Sequence, residues 1–280
     1  MTMISAPEIA AAYARDGYFF PLQAMSAAAA QRYRTELERL QKQYGGDEFK
    51  AIWFGHADFV LPFVDEITRL PSILEPVQAV LGPDLLVWGT NFFIKEAQST
   101  EYVSWHQDLT YWGLDDAAEV TAWVALSPAT PESGCMRFIP GTHNREIVAH
   151  QDTFDSSNLL TRGQEIAVQV DEDQAVDIVL EPGQMSLHHG RIFHGSRPNR
   201  SDDRRIGLAI RYISPAMRNL SGEKGYAHLV AGEDRYGHFE IVPPPETAMA
   251  PADVHVARSA LATQERVLYA GASQKGRRQT

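Results

Sequence analysis

From about residue 84 to 213 the hydrophobic period changes from helical to strand-like, in short runs divided by turn-forming residues. That pattern leaves few folds open. Candidate strands lie at 85–95, 102–106, 120–126, 135–139, 176–180, 184–189 and 205–213, with turn signals such as Glu181-Pro182-Gly183-Gln184 between them. Parallel strands would need crossover helices, and no helical pattern separates these runs. The reading is therefore mainly β with flanking helices, an antiparallel sandwich or barrel.

The flanks differ. Residues 1–83 read as mainly helical, with Ser5 and Ser26 as N-caps and Pro7 in a first turn, where proline is tolerated. Residues 27–43 place Tyr33, Leu37 and Leu40 on one face, and 71–81 repeat the pattern with Ile73, Leu74, Val77, Val80 and Leu81 before Gly82. The stretch 140–175 lacks regular pattern and reads as a long loop, a lid or an insert. Past Pro243-Pro244-Pro245, residues 252–270 read as one closing helix, within an extension spanning 216–280. One domain over 1–280, with its core at 84–215, accommodates all of this.

Composition narrows the partners. A net charge of −11 repels nucleic acid and anionic membrane surfaces, and the one basic run, Lys275-Gly276-Arg277-Arg278, reads as a solvated tail. The lone Cys135 rules out an internal disulfide and cysteine-based zinc clusters. Glu8, Arg15 and Asp16 interrupt any apolar export signal, and no stretch reaches the roughly 18 apolar residues of a membrane span. The expectation is a cytoplasmic protein acting on a small molecule, with no nucleic-acid or membrane partner. The sequence sets no oligomeric state.

The chemistry begins with His-x-Asp. On an extended chain residues i and i+2 point to one face, so a His and an Asp spaced this way can reach one metal ion. A distant His would close a facial triad and leave the remaining coordination positions open. Three such pairs occur: His56-Ala57-Asp58, His106-Gln107-Asp108 and His150-Gln151-Asp152. The first lies in helical sequence, where i and i+2 diverge by about 200°. The third lies in the irregular 140–175 stretch, with no strand to hold it. His106 ends a strand-like run and has aromatic neighbours on both sides, which leaves it the best placed. A simple hydrogen bond between His106 and Asp108 at a barrel rim is the alternative.

For the third ligand, Ser186–Ser196 offers His188, His189 and His194. His194 is preferred because of the residues on its C-terminal side. Arg205 opens a run in which Arg205, Gly207, Ala209 and Arg211 share one face, against Ile206, Leu208 and Ile210 on the other. An arginine beside Gly and Ala suits the floor of a cavity that admits a small dianion. Membership of a solvated Asp202-Asp203-Arg204-Arg205 turn is the alternative for Arg205.

Three blocks, Trp105–Trp112, Ile139-Pro140-Gly141-Thr142-His143 and His194–Asn199 continuing to Arg205, resemble the phytanoyl-CoA dioxygenase family of iron(II)/2-oxoglutarate oxygenases. The resemblance covers roughly residues 10–215. It implies a double-stranded β-helix (a cupin-like jelly-roll) in which His106, Asp108 and His194 bind Fe(II). Arg205 would hold the distal carboxylate of 2-oxoglutarate, assisted by Ser196, with Trp123 lining the pocket. Thr142 and His143 belong to a block that looks structural. The implied reaction consumes O2, converts 2-oxoglutarate to succinate and CO2, and hydroxylates an unactivated C–H bond. Related halogenases carry a small residue where Asp108 stands, so halogenation is disfavoured.

The expected substrate is a small polar metabolite, an amino acid derivative or a phosphonate, with Tyr111, Trp112, Arg162 and Arg211 as candidate contacts. A carrier- or CoA-tethered acyl group is the alternative. A non-catalytic metal-binding jelly-roll sensor and a zinc hydrolase are the readings from other classes. The sensor would be marked by loss of a triad member or of the 2-oxoglutarate arginine, and neither is lost here.

Overall fold

The computed structural model describes residues 5–46, 50, 52–53, 55–115, 118–160, 162–220 and 222–268. The basic run at 275–278 and the last two residues of the expected 252–270 helix lie outside them. Helix α1 (Ala6–Asp16) is opened by Ser5, whose backbone N–H donates to the Glu8 carboxylate at 2.8 Å. It is closed by Gly17, whose φ of 84° only glycine adopts without strain. Strand β1 (Tyr18–Gln23) follows, then α2 (Ala27–Tyr44), capped by Ser26 Oγ accepting from the Ala29 N–H at 3.2 Å. The short helices α3 (Ala57–Val60) and α4 (Pro62–Thr68) lead to α5 (Pro71–Leu81).

The strands then come in succession: β2 (Leu85–Lys95), β3 (Val103–His106), β4 (Glu119–Ala125), β5 (Met136–Ile139), β6 (His150–Asp152), β7 (Gln164–Ile166), β8 (Val176–Asp177), β9 (Gln184–His188), β10 (Phe193–Ser196), β11 (Arg205–Ile213), β12 (Gly225–Ala231) and β13 (Phe239–Ile241). One four-residue helix, α6 (Leu109–Trp112), interrupts them, and α7 (Pro251–Leu268) ends the described chain. The large sheet runs β1-β9-β4-β11-β2-β12-β13 and the smaller β3-β10-β5-β8. Every pairing in these two sheets is antiparallel except β12 with β13. This is the expected jelly-roll.

The large sheet is buried on both faces. From β11, Ile206, Leu208, Ile210 and Tyr212 pack outward with Leu37, Phe59, Val64, Ile73 and Val77 of the helical layer. Ala209 turns inward with Trp123, Met136 and Phe138 to the space between the sheets. At roughly 1.5–3 kcal/mol per fully buried large apolar side chain, the outer layer anchors the sheet and leaves its inner face free for polar groups.

Three readings need correction. The N-terminal part is not wholly helical, since Tyr18–Gln23 pairs with β9 at the sheet edge. Its aromatic Tyr18-Phe19-Phe20 run is β-forming, and Pro21 is tolerated there because an edge strand has N–H groups free of the ladder. The stretch 140–175 holds the β6–β7 ribbon and two 3-10 turns, so His150 and Asp152 do stand on a strand. Finally, β12 extends the large sheet beyond β2 from a region read only as an extension.

Candidate metal and co-substrate site

His106 is the last residue of β3, and His194 lies opposite it on the adjacent β10. Their ring centroids are 4.0 Å apart. Asp108 is not on the strand: it caps α6 with helical backbone angles, φ −62° and ψ −47°. The side-by-side geometry expected of i and i+2 on one strand is therefore replaced by a turn that swings the carboxylate back over both rings. Asp108 Oδ1 lies 3.2 Å from His106 Nε2 and 4.0 Å from His194 Nε2. One ligand atom from each residue falls within 4.8 Å of the others.

The chain orients these groups from behind. His106 Nδ1 faces the Ser104 carbonyl at 2.9 Å and His194 Nδ1 the Ile192 carbonyl at 3.0 Å. A carbonyl only accepts, so each Nδ1 carries the proton and each Nε2 presents its lone pair to the carboxylate side. Two lone pairs and a carboxylate converging on one spot fit a divalent cation. Gln107, between His106 and Asp108, points the other way. Its Nε2 donates to the Arg191 carbonyl at 2.8 Å, and its Oε1 accepts from the Val148 N–H at 2.9 Å, pinning the turn. Burial alone would raise the Asp108 pKa, but in the metal-free site any second proton taken up by His106 or His194 is stabilised by the carboxylate, and with Arg211 this holds Asp108 well below the usual range. Burial pushes His194 down to about 4.

These groups open into a cavity between the sheets, with an empty volume of about 440 Å³, mouth included. Phe93, Val103, Met136 and Ala209 make it apolar, and Arg205 stands in its wall. Arg205 is 1% exposed, and its Nε and Nη2 are buried without a hydrogen-bond partner. The charge-turn alternative fails for it. Arg204 takes that role, paired with Glu96 at 2.9 Å. A buried, unpaired guanidinium is costly unless a ligand completes it, and its fork matches a carboxylate. Burial lowers Arg205 only to about 10, so it stays charged at neutral pH. Ser196 also lines the cavity, and Trp123 places its ring 5.3 Å from the Arg205 guanidinium.

The sequence reading missed several residues here. Lys95, paired in register with Arg205, donates to Ser196 Oγ at 2.6 Å and to the Arg197 carbonyl. Burial, with Arg205 beside it, depresses its pKa to about 6. The signal existed: Asn91, Phe93 and Lys95 share a face by strand parity. Thr121, missed as well, lines the cavity, as does His188, which the sequence offered only as an alternative third ligand.

The four proposed substrate contacts divide. Arg211 lines the cavity. Trp112 lies behind it, 5.0 Å from its guanidinium and 5.2 Å from the Trp88 ring. Tyr111 stands off the cavity lining, its ring 5.4 Å from His150 and 5.3 Å from the Arg162 guanidinium. Arg162 pairs with Asp152 and donates to the Leu268 carbonyl at 2.6 Å, closing α7 onto the ribbon. His150 also has a structural task, its Nε2 accepting the Gln107 N–H at 3.1 Å. Neither it nor Asp152 joins the triad. His56 and Asp58 lie buried in the helical layer, where Asp58 accepts from Thr90 at 2.7 Å.

Residues 13–207 match the family model of phytanoyl-CoA dioxygenase (PhyH). The chain belongs to this family. This is the family that the three sequence blocks resemble. A probable alpha-ketoglutarate-dependent hypophosphite dioxygenase of Stutzerimonas stutzeri is 26% identical over 171 residues, 58% of this chain and 57% of that protein. The peroxisomal phytanoyl-CoA dioxygenase of Bos taurus is 25% identical over 225 residues, 71% of this chain and 66% of its own length. The chain thus spans under two thirds of these curated relatives. Among solved structures, the non-heme monooxygenase ThoJ in its apo form is 35% identical, with a TM-score of 0.84, and covers 94% of this chain and 98% of its own. Among the described residues no helix is long and apolar enough to cross a membrane.

Proposed function

We propose that this family member is a dioxygenase that hydroxylates an unactivated C–H bond of a small polar metabolite. The observation that carries the reading is the pairing, in one cavity, of the His106, Asp108 and His194 donors with the unpartnered Arg205 guanidinium. The three donors would hold iron(II), and Arg205 with Ser196 would hold the distal carboxylate of 2-oxoglutarate. With both bound, the iron supplies O2 activation coupled to oxidative decarboxylation, yielding succinate and CO2.

The chain's own part is positioning and exclusion. The carbonyls of Ser104 and Ile192 keep both imidazoles aimed at the ion. Lys95 steadies the Ser196 hydroxyl, and the Trp123 ring holds the Arg205 guanidinium from its face. Phe93, Val103, Met136 and Ala209 keep water from the reacting centre. ThoJ was also solved as a nickel complex, at 32% identity and a TM-score of 0.79, which fits a divalent ion in such a site.

The test is anaerobic titration of the metal-free protein with Fe(II) and then 2-oxoglutarate. A visible charge-transfer band is expected, absent in His194→Ala and needing far more 2-oxoglutarate in Arg205→Ala. Tight zinc binding with no such band in the wild type would overturn the reading.

A further inference from the structure

Arg211, Thr121 and His188 form a row across three neighbouring strands of the large sheet. Arg211 on β11 is in register with Thr121 on β4, and Thr121 with His188 on β9. All three line the cavity beside the metal-site residues. Each carries a buried polar atom with no hydrogen-bond partner: Arg211 Nε, Thr121 Oγ1 and His188 Nδ1. They are 9%, 1% and 2% exposed. One orphaned buried group is uncommon, and three in a single row facing one cavity call for a shared occupant.

The row lies at the opposite end from the co-substrate anchor. Arg205 and Arg211 share a face of β11 with Gly207 and Ala209 between them, so their Cα atoms are about 20 Å apart at a strand rise of ~3.3 Å per residue. A five-carbon dianion held by Arg205 cannot place the same carboxylate on Arg211. The fork of Arg211 is partly used, since Nη1 donates to Asn91 Oδ1 and its face rests on Trp112. These contacts hold it still and leave Nε without a partner in a side chain that lines the cavity. The facing acids are Asp108 and Glu119. Asp108 is committed to the metal in the dioxygenase reading. Glu119 is buried and accepts the Gly190 N–H.

We infer that this row is the substrate subsite, and that the substrate carries a carboxylate which docks on the Nε edge of Arg211. Thr121 and His188 hydrogen-bond the polar atoms next to that carboxylate. The target C–H then sits between the row and the facial triad. This rests on the dioxygenase reading and sharpens its substrate class to a small carboxylic acid.

The experiment uses full-length protein loaded with Ni(II), which blocks turnover, and saturating 2-oxoglutarate. Calorimetric titration compares propionate, benzoate and 3-phenylpropionate, each against its primary amide. The carboxylates are expected to bind roughly tenfold or more tightly than the amides, the difference expected for a charged hydrogen bond. Arg211→Met is expected to bring the two within about twofold, with 2-oxoglutarate affinity unchanged. Thr121→Val is expected to weaken the carboxylates by several-fold only.

Equal binding of acids and amides by the wild type overturns the inference and needs no variant to fold. Loss of 2-oxoglutarate binding in Arg211→Met would assign that arginine to the co-substrate and also overturn it. A wild type that takes up neither Ni(II) nor 2-oxoglutarate is a different failure, removing the dioxygenase reading and this one with it.

Discussion

A Cβ added at Gly207 would lie 1.8 Å from Trp123 Cζ2, so the indole of Trp123 occupies the space that any other residue at 207 would need. Both stand on the inner face of the large sheet, and Trp123 also contacts the Arg205 guanidinium. Gly207→Ala is expected to push the indole toward Arg205, destabilising the fold by about 1–3 kcal/mol. Affinity for 2-oxoglutarate should fall by roughly tenfold, while metal affinity holds. Adding Trp123→Phe frees volume at the clash and should recover part of the stability. Melting curves and 2-oxoglutarate titrations of both variants decide it, and an unchanged single variant would mean the ring moves at no cost.

Lys95 is the second basic side chain at the co-substrate end, its charge suppressed by burial and by Arg205. Replacing it with Met keeps the stem volume and removes the donor to Ser196 Oγ and to the Arg197 carbonyl. Because burying an ammonium is unfavourable, Lys95→Met should change overall stability little. Its effect should fall on 2-oxoglutarate, with affinity reduced by about tenfold and Fe(II) affinity retained. Calorimetry with 2-oxoglutarate checks this. A drop in melting temperature with unchanged 2-oxoglutarate affinity would assign Lys95 to the fold alone.

Periodicity decides how much of the fold is legible in the sequence. Strands β2 and β11 are bounded correctly because each is a long β-forming run that stops at turn-forming polar residues, before Glu96 and at Ser214-Pro215. The inner and outer faces of β11 come from strand parity. Tyr18–Gln23 is not legible as a strand, because its partner β9 lies more than 160 residues away and a proline breaks the run. Asp108 is the right residue for a geometric reason that does not hold, since a helical turn delivers its carboxylate. Thr121 gives no local signal, and His188 stands out only as an alternative third ligand. Their meaning lies in the register of three strands, which no spacing along the chain reveals.

Arg162 is expected from the sequence to touch substrate, and the fold gives it other work. Its guanidinium is tied to Asp152 and to the last described carbonyl of α7, at Leu268. Arg162→Ala is expected to cost about 1–3 kcal/mol, the range for hydrogen bonds to a charged group, by loosening α7 from the β6–β7 ribbon. Binding of metal and 2-oxoglutarate should be unchanged. Denaturation midpoints beside the anaerobic titration separate the two, and loss of either ligand would return Arg162 to the site.

Glu119 ties stability to pH. Burial pushes its carboxyl up to about 8, and the nearby Asp108 adds to the shift, while the Gly190 N–H, Arg211 and Arg191 oppose it. His189, with Nδ1 3.7 Å away, is itself pushed down to about 4 and stays uncharged in the relevant window. From the ordinary carboxyl value of 4.5 up to about 8, the folded protein keeps a proton that the unfolded chain has released. The unfolded state then binds fewer protons, so stability falls as pH rises through that window. Glu119→Gln mimics the protonated acid and removes this part of the slope. The metal-free variant should match the wild type near pH 5 and exceed it at pH 8, by a few kcal/mol at most. Urea denaturation at several pH values reads the difference directly. Parallel curves for variant and wild type would mean that Glu119 is ionised throughout, and that the Gly190 N–H with the two arginines outweighs its burial.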